Sequence, residues 1–571
     1  MQKRWSVREM PDQDNVEKLA SELNINAALS ALLLQRGVGS FDDARYFFRP
    51  DIRHLHYPFL MKDMEKAIDR IDAALASGEK ILIYGDYDVD GTTSVAVVYS
   101  FFKKLTNNIA YYIPNRYTEG YGISTQGIDY AAENKFALII ALDCGIKSID
   151  KVAYANLLGV DFIICDHHLP GAELPAAVAV LDPKRVDCDY PYKELSGCGI
   201  GFKLIQAYAE KHDIPFEEIS CYLDLVAISI ACDIVHITGE NRVLAYFGLQ
   251  QLNSNPCTGV RVLMEMAGKS ERFNIADVVF TIGPRINAAG RIDDAKHAVA
   301  LLIAQNLEEA REIGELINGH NAERKGHDLA ITDEALSIIK HDAILEARKS
   351  TVLFNEKWHK GVIGIVASRL TEKYYRPTVV LTRSNGHVAG SARSVVGFDL
   401  YEALSDCSDL LTQYGGHKYA AGLTMPPENV PAFIDRFEEV VCMNITADQL
   451  IQEIKIDAEL RLDQIDSKFF RILEQCGPFG PENMTPVFLS RNVTLAGQPN
   501  LVGQDHLKLY VMHPGSAIFD GIAFNQASWL PQLQQGQPFD ICYCIEENVW
   551  RDKRSIQLNI KGIKIVGNAI N

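Results

Sequence analysis

The sequence lacks what would tie it to a membrane, a disulfide scaffold or a zinc ribbon. No window approaches the roughly 18 uninterrupted apolar residues of a spanning helix, so no membrane span is expected. The opening MQKRWSVREM has neither an apolar core nor a small-residue cleavage site, so no secretory signal is expected. The 12 cysteines are scattered, without a CxxC pair, which argues against a zinc ribbon and a cross-linked secreted domain. A reducing, cytoplasmic setting is the expectation. Basic excess is missing too: 74 acidic residues face 56 basic ones, for a formal charge of −18. That balance counts against a generally basic nucleic-acid binder. It leaves room for an acidic enzyme whose metal ions and local basic lining neutralise phosphates along one groove. What remains is ordinary globular material, 47% hydrophobic and 23% charged, long enough at 571 residues for roughly three or four domains.

The chain is organised around Ile81–Gly91, ILIYGDYDVDG. A short apolar strand stops at three alternating aspartates, Asp86, Asp88 and Asp90, and the run TTSVAVVYSFF behind it reads as a buried helix. Carboxylates this close raise one another's pKa unless a cation sits among them, and hard divalent ions take carboxylate oxygens. An EF-hand is excluded, because the twelfth position counted from Asp86 is Val97 and a strand precedes the loop. A single solvated acidic turn would be unremarkable; the same design, however, recurs downstream.

Residues up to about Leu75 read as helical and irregular, packing against the next domain. From Lys80 the pattern becomes strand and helix in alternation. FALIIALDCGI delivers Asp143, VDFIICDHHLP delivers Asp166, His167 and His168, and AAVAVLDPK ends at Asp182. Short apolar runs separated by helical segments predict a parallel sheet, whose ligands gather beyond the carboxyl ends of the strands. Asp233 closes a further apolar segment, LDLVAISIACDIV. Imidazole among carboxylates shifts preference from magnesium toward manganese, iron or zinc. Such a set could hold two divalent ions, with Asp143 as the bridge, and two ions suit in-line phosphoryl displacement. Arg116, in the loop PNRYTEGYG, offers a fork to phosphate oxygens. GCGIGFKL lacks the spacing and the preceding strand of a dinucleotide fingerprint.

The ordered set GDYDVDG, LDCG, CDHH and ACDIV resembles the DHH phosphoesterase superfamily, and within it the bacterial single-strand-specific 5′→3′ DNA exonucleases. The resemblance continues through GPRINAAGRIDDA, WHKGVIGIVASRL, AGSARS and GGHKYAAGL. It implies metal ligation by Asp86, Asp88, Asp143, His167 and Asp233, with Mn2+ or Mg2+ as the two ions. His168 would be a ligand or a phosphate contact, and Asp90 would orient the turn. Asp143, His168 and Asp90 are thus the expected catalytic residues. Tyr84 stands where many relatives carry histidine. The resemblance also implies that Arg285 and Arg291 contact the strand near the scissile end, and that Ser391 and Arg393 bind phosphate.

The long run from Ala295 to Ile339 reads as a connecting helix or a pair of helices. STVLF, PTVVLT and HVAGSARS read as strands of a second α/β domain. There Gly415 and Gly416 would expose N–H groups to a phosphate beside His417 and Lys418. The short strands after about Gln449 suggest a small β-barrel, an OB-fold by resemblance, with GPFGPENMTP as the linker into it. Trp550, Arg551, Lys553 and Arg554 have the composition that stacks and tracks single strands.

The expected fold class is therefore α/β plus β. A helical segment (1–75) packs on a DHH-type parallel domain (76–300). Connecting helices (301–349) lead to a smaller DHHA-type domain (350–448) and an OB-fold barrel (449–571). The expected activity is hydrolysis of single-stranded DNA from the 5′ end to 5′-mononucleotides, in DNA repair and recombination. The expected protein is a cytoplasmic monomer without membrane contact. By resemblance it works with single-strand-binding protein and a helicase. A small-substrate phosphodiesterase shares the metal set but has no use for the barrel, and a replication scaffold would have lost these aspartates.

Overall fold

The computed structural model describes residues 3–269, 271–550 and 553–565, with Trp550 described by its backbone. The chain divides into two compact units. The first comprises Tyr57–Asp233 and Phe247–Gln452; the second comprises Gln2–His56, Ile234–Tyr246 and Glu453–Asn571. No helix among the described residues is long and apolar enough to cross a membrane, and all 12 cysteines are free thiols.

In the first unit five parallel strands run in the order Ile109–Tyr112, Lys80–Gly85, Phe136–Leu142, Asp161–Cys165, Ala179–Leu181. The order reverses direction beside Lys80–Gly85, and its carboxyl end with that of Phe136–Leu142 flanks the switch point. Crevices at such points are where open α/β sheets take ligands. Asp88 caps the following helix, Val89–Lys103, by accepting from the Gly91 N–H at 3.0 Å. Its threonines and valines are weak helix formers, and burial overrides them. Thr92, Thr93 and Ser94 satisfy their hydroxyls on carbonyls one turn back.

The connecting region is one helix of 35 residues, Leu307–His341, about 52 Å long. It leads to a five-stranded sheet in the order Gln413–His417, Ala420–Met425, His387–Arg393, Thr378–Ser384, Thr351–Phe354. Only the last pair is parallel.

In the second unit Phe488–Leu495 pairs with both Phe539–Trp550 and His506–Met512. Lys553–Ile565 and Phe519–Ala523 complete the ring, which makes the closed five-stranded barrel expected for an OB-fold. Two expectations need correction here. The N-terminal segment up to His56 belongs to this unit, while residues 57–75 stay with the first: Arg4–Val7 pairs in parallel with Glu453–Ile456, and Leu29 and Leu32 join the core of Phe488 and Phe539. Nor is Gly477–Pro486 a plain linker. Buried Asn483 donates to the carbonyls of Cys476 and Pro478, and the Arg242 guanidinium donates to those of Phe47, Cys476 and Gly477. Backbone carbonyls that cannot reach water are satisfied by one buried cation.

Candidate active site

Six aspartates and two histidines converge at the carboxyl edge of the parallel sheet and the end of the helix Leu223–Cys232. Asp86 leaves the strand Lys80–Gly85 fully buried. Asp143 leaves Phe136–Leu142 with φ of +60°, a conformation uncommon outside glycine and found at constrained sites. Asp233 caps the helix Leu223–Cys232 at its C-terminus. His167 Nε2 lies 3.2 Å from Asp143, 3.5 Å from Asp233 and 3.7 Å from Asp90. Two triads have donor atoms close enough for an ion, Asp143–His167–His168 and Asp90–His167–Asp233. His167 is common to both.

Like charges and burial strain this cluster. Burial, then Asp88, pushes the Asp86 carboxyl well above the carboxylate range. Burial also raises Asp88. For Asp143, burial comes first, followed by Asp90, Asp88, Asp233 and Asp166, again far upward. Burial and then Asp90 lift Asp233 to about 9. The His167 imidazole, desolvated, is pushed down. Oδ2 of Asp86, Oδ2 of Asp143 and both ring nitrogens of His167 are buried without a hydrogen-bond partner among the described residues. Buried polar atoms are ordinarily paired, so these open lone pairs fit divalent cations.

Around them lies a hydrogen-bonded frame. Asp90 accepts from the N–H groups of Gly197 and Cys198 at 2.7 and 2.8 Å and from Ser229 Oγ at 2.7 Å, so it holds a helix N-terminus. Asp166 accepts from the N–H of Ile146, His167 and His168 and from His168 Nδ1 at 2.7 Å. Although burial opposes it, the His168 contact brings Asp166 down to about 2. Against the same burial, Asp166 raises His168 to about 9. Tyr84 is a support residue: its hydroxyl donates to the Gly122 carbonyl and accepts from the Ser124 N–H.

The expected phosphate binders are only partly brought together. Arg291 donates to the Gly361 carbonyl, and burial followed by Arg116, Arg324 and Arg393 lowers it to about 9. Arg116 lies 3.9 Å over the Tyr87 ring and donates to the Gly290 carbonyl. Arg393 donates to Ser391 Oγ at 3.1 Å. Burial lowers Arg393 as well, so Arg291 and Arg393 are both desolvated cations. Arg285 stands apart, donating to Thr281, Met266 and Asn318, and only burial shifts it. Gly415 and Gly416 sit in the strand Gln413–His417, Gly416 with φ of +143°. In register, Gly415 faces Gly422, which faces Ser391. His417 is lowered by burial and then by the charges of His168, Lys147 and Lys184.

Trp550 ends its strand, and Arg551 lies outside the described residues. Arg554 is paired with Glu547 at 2.8 Å in a hairpin. Residues that sequence reasoning passed over are Tyr87, Tyr121 and Lys360. The Tyr121 hydroxyl is 3.4 Å from His168 Nε2, and Lys360 is lowered by burial and Arg116. Their signal was position: all three stand in motifs that the sequence already displayed, YDVDG, PNRYTEGYG and WHKG.

Residues 80–230 match the DHH family, N-terminal domain; 348–442 match the DHHA1 domain; 456–562 match the RecJ OB domain. The single-stranded-DNA-specific exonuclease RecJ of Bacillus subtilis is 36% identical over 562 residues, 98% of this chain and 70% of that protein. Its Escherichia coli counterpart is 33% identical over 526 residues, 88% and 90% of the two chains. The crystal structure of RecJ with Mn2+ from Thermus thermophilus superposes with a TM-score of 0.85 at 26% identity, covering 98% of this chain and 79% of that one. On this identity and coverage, the chain belongs to the RecJ family of DHH phosphoesterases.

Proposed function

We propose that this protein is a single-stranded-DNA-specific exonuclease that removes 5′-mononucleotides from the 5′ end, in DNA repair and recombination. The observation that carries the reading is the cluster of open carboxylate and imidazole lone pairs, with the Arg116 charge acting on both Asp86 and Asp88 and those of Arg116 and Arg393 acting on Arg291. Asp86, Asp88, Asp143, His167 and Asp233 would hold two divalent cations, Mn2+ or Mg2+, with Asp90 and His168 beside them. Bound there, the ions supply Lewis acidity to a phosphoryl oxygen and lower the pKa of water.

The protein's own residues do the rest. Arg116, Arg291, Arg393 and Ser391 hold a terminal 5′ phosphate, which sets the polarity and places the first phosphodiester at the cluster. Asp166 keeps His168 protonated and turned, so that its Nε2 donates to phosphate oxygen. Asp90 fixes the helix behind Asp143. Arg285 is proposed to act at a distance, bracing that wall. Trp550 and Arg551 are kept as barrel contacts to the strand. The domain division expected from sequence is retained, except that the N-terminal segment up to His56 and Ile234–Tyr246 are assigned to the barrel unit. A cytoplasmic monomer handed its substrate by single-strand-binding protein and a helicase completes the proposal.

The test is digestion of single-stranded DNA bearing a radiolabelled 5′ phosphate, with Mn2+, beside Asp143→Ala. Immediate release of labelled mononucleotide, absent in the variant, is expected. Label that persists while only dinucleotides are cut would overturn the reading.

A further inference from the structure

We propose that a cavity remote from the cleft is an effector site for a 5′-mononucleotide, the class of product the enzyme releases. The regulatory half of this proposal rests on the exonuclease reading; the binding half does not.

Two helices that carry cluster carboxylates reach this cavity with their other ends. Val89–Lys103 begins beside Asp88 and Asp90 and ends at Lys103 and Lys104, about 22 Å away, both lining the cavity. Leu223–Cys232 ends at Asp233 and begins at Tyr222, which lines the same space. At the cluster end the two helices are keyed together, because Ser229 Oγ donates to Asp90 at 2.7 Å. A ligand that pulls on the far ends therefore acts on the carboxylates through rigid elements with a shared hydrogen bond.

The cavity has a volume of about 800 Å³, within the range of small-molecule sites. Its lining is specific in chemistry. Tyr99 and Tyr111 meet edge to face at 5.3 Å and present ring surface to a base. Lys103, Lys104 and Arg261 bring positive charge in a chain of formal charge −18, and the lining carboxylate Glu309 is engaged by Asn306 at 3.2 Å. The helix Thr258–Ala267 opens at the cavity with no side-chain cap on its first turn, an arrangement that favours phosphate. The Tyr222 phenol is raised by burial, against which the Lys104 ammonium, 5.2 Å from its ring centre, acts through a side-chain hydrogen bond, so a phenol and a cation meet in the cavity wall. Aromatic surface, cations and a helix N-terminus together select a nucleoside phosphate over a bare anion or an apolar ligand.

The experiment uses the full chain with metals chelated. Calorimetric titration with 5′-dAMP, adenosine and inorganic phosphate is run on the wild type, on Lys103→Glu/Arg261→Glu, on Tyr222→Phe and on Arg393→Ala. Expected are dAMP binding that exceeds both fragments, a loss of about tenfold or more in the double variant, weakening in Tyr222→Phe, which keeps the ring, and retention in Arg393→Ala. With Mn2+ and saturating 5′-phosphorylated single strand, dAMP should change kcat about fivefold in the wild type and leave the double variant unmoved. Unmodified affinity in the double variant, loss only in Arg393→Ala, or an equal kcat response in both proteins would overturn the site. A wild type that cuts no DNA would count against the exonuclease reading instead, since the isotherms decide binding by themselves.

Discussion

Asp233 and His168 carry opposite charges when ionised, yet both titrate near pH 9 in the metal-free cluster, for different reasons. Asp233 is raised by burial and by Asp90; His168 is raised, against burial, by its bond to Asp166. The consequence for stability has one sign. A group whose folded pKa exceeds its unfolded value contributes stability that is full below the unfolded pKa and lost as pH climbs through the folded one. For His168 that window runs from about 6.5 to about 9, and for Asp233 from about 3.8 to about 9. Asp166, brought down to about 2, adds a constant amount over the same range. The melting temperature in EDTA should therefore fall between pH 6 and pH 8.5, while Mn2+ affinity rises, because cation entry displaces the carboxyl protons. Calorimetry in buffers of different ionisation enthalpy counts those protons; an affinity that is flat with pH would sink the account. Asp166→Asn removes the charge beside the His168 imidazole and replaces one of the two acceptor oxygens with an NH2 donor, and a loss of about 10- to 100-fold in metal affinity or activity is expected.

At the scale of elements, the tightest join is between the helix starting at Gly197 and the end of Phe136–Leu142. A Cβ on Gly197 would lie 2.7 Å from Asp143 Cβ and 2.8 Å from its Oδ1. Gly197→Ala should therefore displace Asp143 while leaving the sheet folded, with kcat reduced about 100-fold and circular dichroism unchanged. Full activity would show that Asp143 has room to move. The sequence made much of this level legible. Strand-terminal aspartates followed apolar runs, and the parallel order follows from the alternation of those runs with helices. The roles of GCGIGFKL and Tyr84 were not legible, since a helix N-terminus on Asp90 and a hydroxyl bracing Gly122 are contacts between distant segments. Arg285 and Arg291 are six residues apart in one motif and of one chemistry. Only the helix Gly283–Ile292 separates them, turning one guanidinium to Thr281 and Met266 and the other to Gly361. The pairing of Arg4–Val7 with Glu453–Ile456 joins segments at opposite ends of the sequence, and no local pattern encodes that partner.

For the whole molecule, the question is how a chain of formal charge −18 takes a polyanion. The structure concentrates the answer: burial first, and then repulsion from Arg116, Arg324 and Arg393, lowers Arg291 to about 9, and burial, then Arg116, lowers Lys360. Such repulsion is held in place only by the fold, and an arriving phosphate relieves it. Binding should then release few counterions compared with a broadly basic protein. For about four phosphate contacts the slope of log K against log salt on single strands is about −2.8. Arg393→Ala should reduce that slope by about 0.7, and replacing the 5′ phosphate with a hydroxyl should weaken binding to the wild type far more than to this variant. Fluorescence anisotropy of a labelled oligonucleotide, in EDTA to prevent cleavage, reads all three. A much steeper slope, unchanged in Arg393→Ala, would mean that affinity resides in dispersed surface cations. The 5′ terminus would then be found by the cluster alone, without the arginine grip that gives the cleft its polarity.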